Sequence, residues 1–90
     1  MVANHQPCPC CGYPTLDERT PGPFAICPIC WWEDDAVQAA DPSLSGGANE
    51  VCLSEARASY EAIGAIEPRW VAMVRPPSEA ERAARARAYA

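Results

Sequence analysis

Apolar side chains recur at helical spacing most clearly at Leu53, Ala56, Tyr60 and Ile63, which places them on one face of a helix over 53–63. Gly64 follows at the position where a left-handed residue commonly ends a helix. At its start Cys52 and Glu55 occupy the two ends of a capping box, with Cys where Ser or Thr normally stands. A thiol is a weak acceptor, so Cys52 is expected to cap poorly or to lie half-buried.

Upstream the pattern shortens. Tyr13, Thr15 and Leu16 have strand character, Asp17–Pro23 is rich in turn residues, and Phe24-Ala25-Ile26 returns, predicting a hairpin over 12–26. Ala36–Ala40 reads as one helical turn stopped by Asp41-Pro42, and Ser43–Asn49 as loop. Gly46-Gly47 follows no strand and has no nearby Lys, which favours a turn over a phosphate cradle. Ile66, Trp70 and Met73 suit a short helix ended by Pro76-Pro77, although Trp70, Ala72 and Val74 would suit a strand. In either case Trp70 is expected in the core. Ser78 and Glu81 form a regular capping box for a last helix to about Tyr89. Its alanine- and arginine-rich face buries little, so it is expected to fray or to dock only on a partner.

The fold class is therefore small α+β: a zinc-ribbon-like N-terminal hairpin, one main helix and one or two short C-terminal helices. Residues 1–77 are assigned to a single domain and 78–90 to a helical tail. No repeats are present.

Cysteine spacing adds chemistry to this outline. Cys8/Cys11 and Cys27/Cys30 are two Cys-x-x-Cys pairs flanking the predicted hairpin, the spacing of a four-thiolate zinc site. Gly12 gives the first turn its left-handed freedom, and Pro9 and Pro28 stiffen both turns. A three-bridge disulfide framework is the alternative. Residues 1–7 lack a secretory pattern, so a cytoplasmic location and thiolate–metal bonding are expected. The longest apolar run of the C-terminal half, Trp70–Val74, is too short to span a bilayer.

The formal charge is −5, and it is uneven. Residues 1–74 hold three arginines against ten acidic residues, whereas 75–90 hold four against two. An acidic body is a poor match for a phosphate backbone and a better one for a basic protein. Nucleic-acid binding is accordingly disfavoured. The ribbon tip pairs Arg19 with Asp17 and Glu18, and only the Arg82/Arg85/Arg87 tail is basic.

Trp31-Trp32-Glu33-Asp34-Asp35 directly follows the second cysteine pair. Alternation turns one tryptophan inward and the other toward the surface or the zinc rim; a domain with few large side chains would draw both into its core. The alternative is an exposed aromatic anchor for a partner. The three acids read as a solvated turn. A cation site shared with Asp41 and Asn49 lacks the alternate-residue pattern of calcium loops.

The motifs Cys8-Pro9-Cys10-Cys11-Gly12-Tyr13, Cys27-Pro28-Ile29-Cys30-Trp31-Trp32-Glu33-Asp34-Asp35, Gly46-Gly47-Ala48-Asn49 and Leu53 with Glu55-Ala56-Arg57 resemble the bacterial cysteine-rich CPCC family. The resemblance covers roughly residues 8–64. It implies a small domain with paired cysteines for zinc and no established activity. Some relatives occur near toxin–antitoxin or contact-toxin genes, so the resemblance makes an immunity- or regulator-like role imaginable. Similar sequences carry Ser where this chain has Cys52.

Three functions follow as expectations. The first is a non-enzymatic module holding Zn2+ structurally through Cys8, Cys11, Cys27 and Cys30, and binding a protein through Trp31, Trp32, Glu33, Asp34 and Asp35. Four thiolates close the coordination sphere. His5, the single histidine, is read as solvated. The second is a thiol or redox protein using Cys10. It is opposed by the absence of Lys and of a thioredoxin-like pattern. The third is a nucleic-acid-binding ribbon.

Overall fold

The computed structural model describes residues 6–17, 20 and 22–89, with side chains described as far as Arg85. The chain runs β1 (Gln6–Pro7), β2 (Pro14–Leu16), α1 (Ala36–Ala40), α2 (Leu53–Ile63), a 3-10 turn (Pro68–Trp70) and α3 (Glu79–Tyr89). This is the expected small α+β architecture: a two-stranded antiparallel hairpin followed by helices.

The strands are not the expected ones. β1 pairs with β2 in the register Gln6↔Leu16 and Pro7↔Pro14, so the hairpin encloses the first cysteine pair instead of joining the two pairs. Phe24–Ile26 pairs across the second cysteine pair: Ile26 bridges Glu33, Phe24 N–H donates to Asp34 C=O at 2.9 Å, and Asp34 N–H to Ala25 C=O at 2.9 Å. Each knuckle thus carries its own short ladder. Closing a six-residue turn costs less chain entropy than closing a loop over the whole of 12–26.

The core is continuous with the cysteines. Leu16, Ile29, Trp32, Leu53, Ala56 and Ile66 cluster with Cys8, Cys11, Cys27 and Cys30, all buried. α2 has the predicted bounds. Gly64, at φ 80°, donates its N–H to Tyr60 C=O at 2.9 Å. Cys52 is buried and its sulfur accepts the Glu55 N–H at 3.5 Å, so the thiol does cap the helix. Leu53 and Ala56 are buried, but Ile63 is 43% exposed, which shortens the expected apolar face by its last member.

The acidic stretch after the second knuckle is a structural element and not a solvated turn. Asp34 and Asp35 are buried. Asp34 Oδ2 accepts the Gly22 N–H at 3.0 Å. Asp35 caps α1 through Oδ1, which accepts the Val37 N–H at 2.9 Å and the Gln38 N–H at 3.2 Å. Its Oδ2 reaches the Ala48 N–H at 3.0 Å. That bond, foremost, holds the Asp35 carboxyl below its ordinary acidity range.

Gln38, wholly buried, anchors the 43–51 loop. Its Nε2 donates to the carbonyls of Leu44 and Asn49 at 3.0 Å each, and its Oε1 accepts from Asn49 N–H and Nδ2 at 3.0 Å each. Asn49 in turn bonds both backbone groups of Glu33 at 2.8 Å. These donors and acceptors answer one another, so the Asp35 carboxylate and the Asn49 amide are committed to protein partners. Gly47 lies so close that an added Cβ would stand 2.7 Å from both Asp35 Oδ2 and Gln38 Cδ.

Beyond α2 the expected helix over 66–73 is reduced to the 3-10 turn, and Met73 is 54% exposed. The segment instead straps the second knuckle: Ile66 N–H donates to Cys30 C=O at 2.9 Å and Arg75 N–H to Pro28 C=O at 3.0 Å. Within the segment the bonds run three residues back, Trp70 N–H to Glu67 C=O at 3.0 Å and Met73 N–H to Trp70 C=O at 2.9 Å, the tighter winding of a 3-10 turn. Trp70 packs against the core cluster as expected, though at its edge and only half-buried.

α3 neither frays from its first turn nor waits for a partner. Ser78 and Glu81 bond reciprocally, Ser78 N–H to Glu81 Oε1 at 2.7 Å and Glu81 N–H to Ser78 Oγ at 3.1 Å. Arg75 grips Glu81 with two bonds of 2.8 and 2.9 Å, which lowers the Glu81 carboxyl to about 2. One turn further on, Arg85 lies 4.7 Å from the Tyr13 ring centroid and donates to its hydroxyl at 3.2 Å, docking α3 on β2.

Candidate metal centre

The two knuckles share one backbone design. In the first, Cys8 N–H donates to Tyr13 C=O and Gly12 N–H to Cys8 C=O, both at 2.9 Å. In the second, Cys27 N–H donates to Trp32 C=O at 2.9 Å and Trp31 N–H to Cys27 C=O at 2.8 Å. Gly12 has φ 80° and Trp31, at the equivalent position, φ 76°. These turns aim two sulfurs each at one point.

The sulfurs of Cys8, Cys11, Cys27 and Cys30 all lie within 4.8 Å of one another, and each residue is at most 2% exposed. The Cys8–Cys30 separation is 3.6 Å and Cys11–Cys27 is 3.7 Å. A disulfide needs ~2.05 Å between sulfurs, so these four are free thiols. A tetrahedral ion bonded to four thiolates at ~2.3 Å sets their mutual distances near 3.8 Å, close to the values found. The arrangement can hold a metal ion.

Electrostatics support the fit. Crowded without a cation, the four groups cannot all ionise. Cys27 is pulled well below the ordinary thiol range, first by the Cys11 hydrogen bond and then by Cys30 and Cys8. Cys11 is pushed well above that range, chiefly by Cys27; Cys8 likewise, chiefly by Cys11; and Cys30, chiefly by Cys10. A bound cation is what would let four such thiolates form side by side. Thr15 Oγ1 donates to Cys27 Sγ at 3.0 Å, and the Ile29 N–H points to the same sulfur at 3.4 Å. Arg57 Nε donates to Pro9 C=O at 3.0 Å, tying α2 to the first knuckle.

Of the residues expected to form a partner surface, Trp32, Asp34 and Asp35 are buried. Trp31 and Glu33 remain half-exposed. Trp31 packs on Trp70, ring centroids 5.9 Å apart and tilted by 34°. Cys10 is half-buried beside the cluster. His5, Glu18 and Arg19 lie outside the described residues, so the readings placed on them have no structural counterpart here. Sequence reasoning missed Gln38 as the loop anchor and Thr15 as a donor to the cluster. Helical spacing could not single out Gln38, because α1 is five residues long.

Buried four-cysteine clusters mounted on two knuckles define a class of small α+β metal-site protein. The family model described as cysteine-rich CPCC matches residues 6–81, and the chain belongs to that family. The match runs from β1 through the capping box of α3, further than the 8–64 legible in the motifs. No curated protein matches the chain. Among the described residues, no helix is long and apolar enough to cross a membrane.

Proposed function

We propose that the chain is a non-enzymatic zinc protein of the cytoplasm, in which Cys8, Cys11, Cys27 and Cys30 hold Zn2+ structurally and the stabilised body serves as a protein–protein interaction module. The observation that carries this reading is the closure of four buried sulfurs around one point. An all-thiolate donor set suits a soft, non-redox ion such as zinc and leaves no open position for water or substrate. Zinc thereby supplies cohesion, joining two knuckles that share no strand. A domain of this size has a limited core, and such an ion adds stability comparable with that of a whole fold.

The test is a pull-down from the native host at moderate salt with zinc-loaded chain, repeated with chelator, alongside metal analysis of the purified protein. One zinc per chain and a partner lost on chelation support the reading. A metal-free folded chain overturns it. A second reading, thiol or redox chemistry at Cys10, draws on that residue's partial exposure beside the cluster. Rapid alkylation of Cys10 at pH 6–7 would favour it; sluggish alkylation favours a spectator inside the knuckle.

A further inference from the structure

Trp31 and Trp70 line a cleft of ≈ 120 Å³ whose base includes Ile66. This is well short of the ~300 Å³ at which small-molecule sites begin, and suits a single side-chain head group. Its rim is acidic: Glu33, Glu50 and Glu67 against one cation, Arg69. Arg69 shows how the cleft treats a guanidinium. It lies 4.6 Å from the Trp70 ring centroid and pairs with Glu67 at 3.1 Å and Glu50 at 3.4 Å. The other half of the cleft repeats those ingredients without a cation. Trp31 offers a second indole, and the Glu33 carboxylate forms no ion pair among the described residues.

Trp31 holds this place against its backbone. Its φ of 76° belongs to glycine, which is what the first knuckle uses at the same step. An L-residue is disfavoured there, and a bulky aromatic is an uncommon choice. Strain of this kind is retained where the side chain is wanted.

Resting on the reading of the chain as an interaction module, we propose that this cleft receives the guanidinium of an arginine on a partner protein, stacked on Trp31 and paired with Glu33. Indole faces attract cations, guanidinium stacks on them better than ammonium does, and the rim supplies the countercharge. An acidic rim repels a phosphate backbone, which separates this occupant from a nucleic acid.

The three indole N–H resonances of the zinc-loaded full chain provide the test. The probe is acetyl-Gly-Arg-Gly-amide, with its lysine and citrulline counterparts as controls. Arginine should shift the Trp31 and Trp70 signals saturably and leave buried Trp32 in place, while neutral citrulline should not. Trp31→Gly, which relieves strain in the knuckle, should weaken binding about tenfold. Glu33→Gln should weaken it several-fold with zinc content unchanged. Absent shifts, equal binding of lysine or citrulline, or undiminished binding by Trp31→Gly would overturn the assignment. A host protein still retained by the zinc-loaded chain when the peptide produces no shifts would sink the cleft alone. Arginine-specific shifts in a chain that loads no zinc would instead sink the proposed function.

Discussion

The two cysteine knuckles are one piece of backbone used twice, with the same hydrogen bonds across Cys8–Tyr13 and Cys27–Trp32 and the same left-handed step before the last residue. They differ in what surrounds them. The first carries Gly12 at the left-handed step, is flanked by the β1–β2 pair and is covered by α3 through Tyr13. The second carries Trp31 there, is flanked by the buried Asp34–Asp35 pair and is strapped by residues 66–75. Chelation geometry is thus a local property shared by both knuckles. The second has in addition been given an aromatic side chain that geometry alone would refuse, and this is the reason to look for recognition on that side.

Metal removal should erase the comparison altogether. We expect chelation, or Cys→Ser at any of the four ligand positions, to unfold the hairpin and both knuckles, since apparent zinc-binding energies are on the order of 10 kcal/mol. Near-UV circular dichroism of the three tryptophans and metal analysis report this. A chain that keeps its tertiary signal without metal would show that the knuckles stand by packing alone.

Next in size is the loop behind the second knuckle. Gln38→Ala strips partners from buried Asn49 and from three carbonyls, and should cost about 2–4 kcal/mol in denaturant unfolding of the zinc-loaded chain. Among the described residues no buried amide anchors a loop behind the first knuckle in this way, so a cost below about 0.5 kcal/mol would remove this asymmetry.

The left-handed step itself gives a smaller and sharper contrast. Gly12→Ala should destabilise by ~1–2 kcal/mol, because its φ of 80° is disfavoured for an L-residue. Trp31→Gly relieves the same strain but loses a ring contact of ~0.5–1.5 kcal/mol, so it should come out near neutral. Parallel thermal melts with zinc in excess compare them. Equal losses at both positions would mean that Trp31 is held by packing.

The smallest effect is pH-dependent and belongs to the cover of the first knuckle. The Glu81 carboxyl is lowered from 4.5 to about 2, chiefly by Arg75. A depressed carboxylate contributes stability above its unfolded value and loses it as pH falls toward the folded one. Docking of α3 should therefore weaken between about pH 4.5 and 2. Protonation of the cysteine ligands also releases metal on acidification, so the informative quantity is the difference between the native chain and Glu81→Gln. That difference should shrink toward zero across this window; a constant gap would mean that the Arg75–Glu81 pair is not what holds α3.

Much of this molecule could be read from the chain alone. The bounds of α2, the single turn at Ala36–Ala40, the Ser78/Glu81 capping box and the four cysteines that cluster all follow from spacing or from residues within a few positions of each other. The errors share a different character. Strand pairing went wrong because two arms flank each knuckle and local pattern does not say which two join. A run of acids such as Asp34 and Asp35 is usually wet, whereas the partners that bury these two, at Gly22 and Ala48, lie 12 and 13 residues away. The support of α3 is invisible locally, because nothing near Arg85 in sequence announces Tyr13, 72 residues distant.

Cysteine spacing, helix periodicity and capping chemistry were determined by the sequence itself, since each is a relation among neighbours set by backbone turn geometry. Only the tertiary structure decided which acids are buried, which tryptophan lines a cleft and which arms pair. Those outcomes depend on long-range partners that satisfy a buried carboxylate or cover an indole, and a buried polar group is tolerated only where such partners arrive.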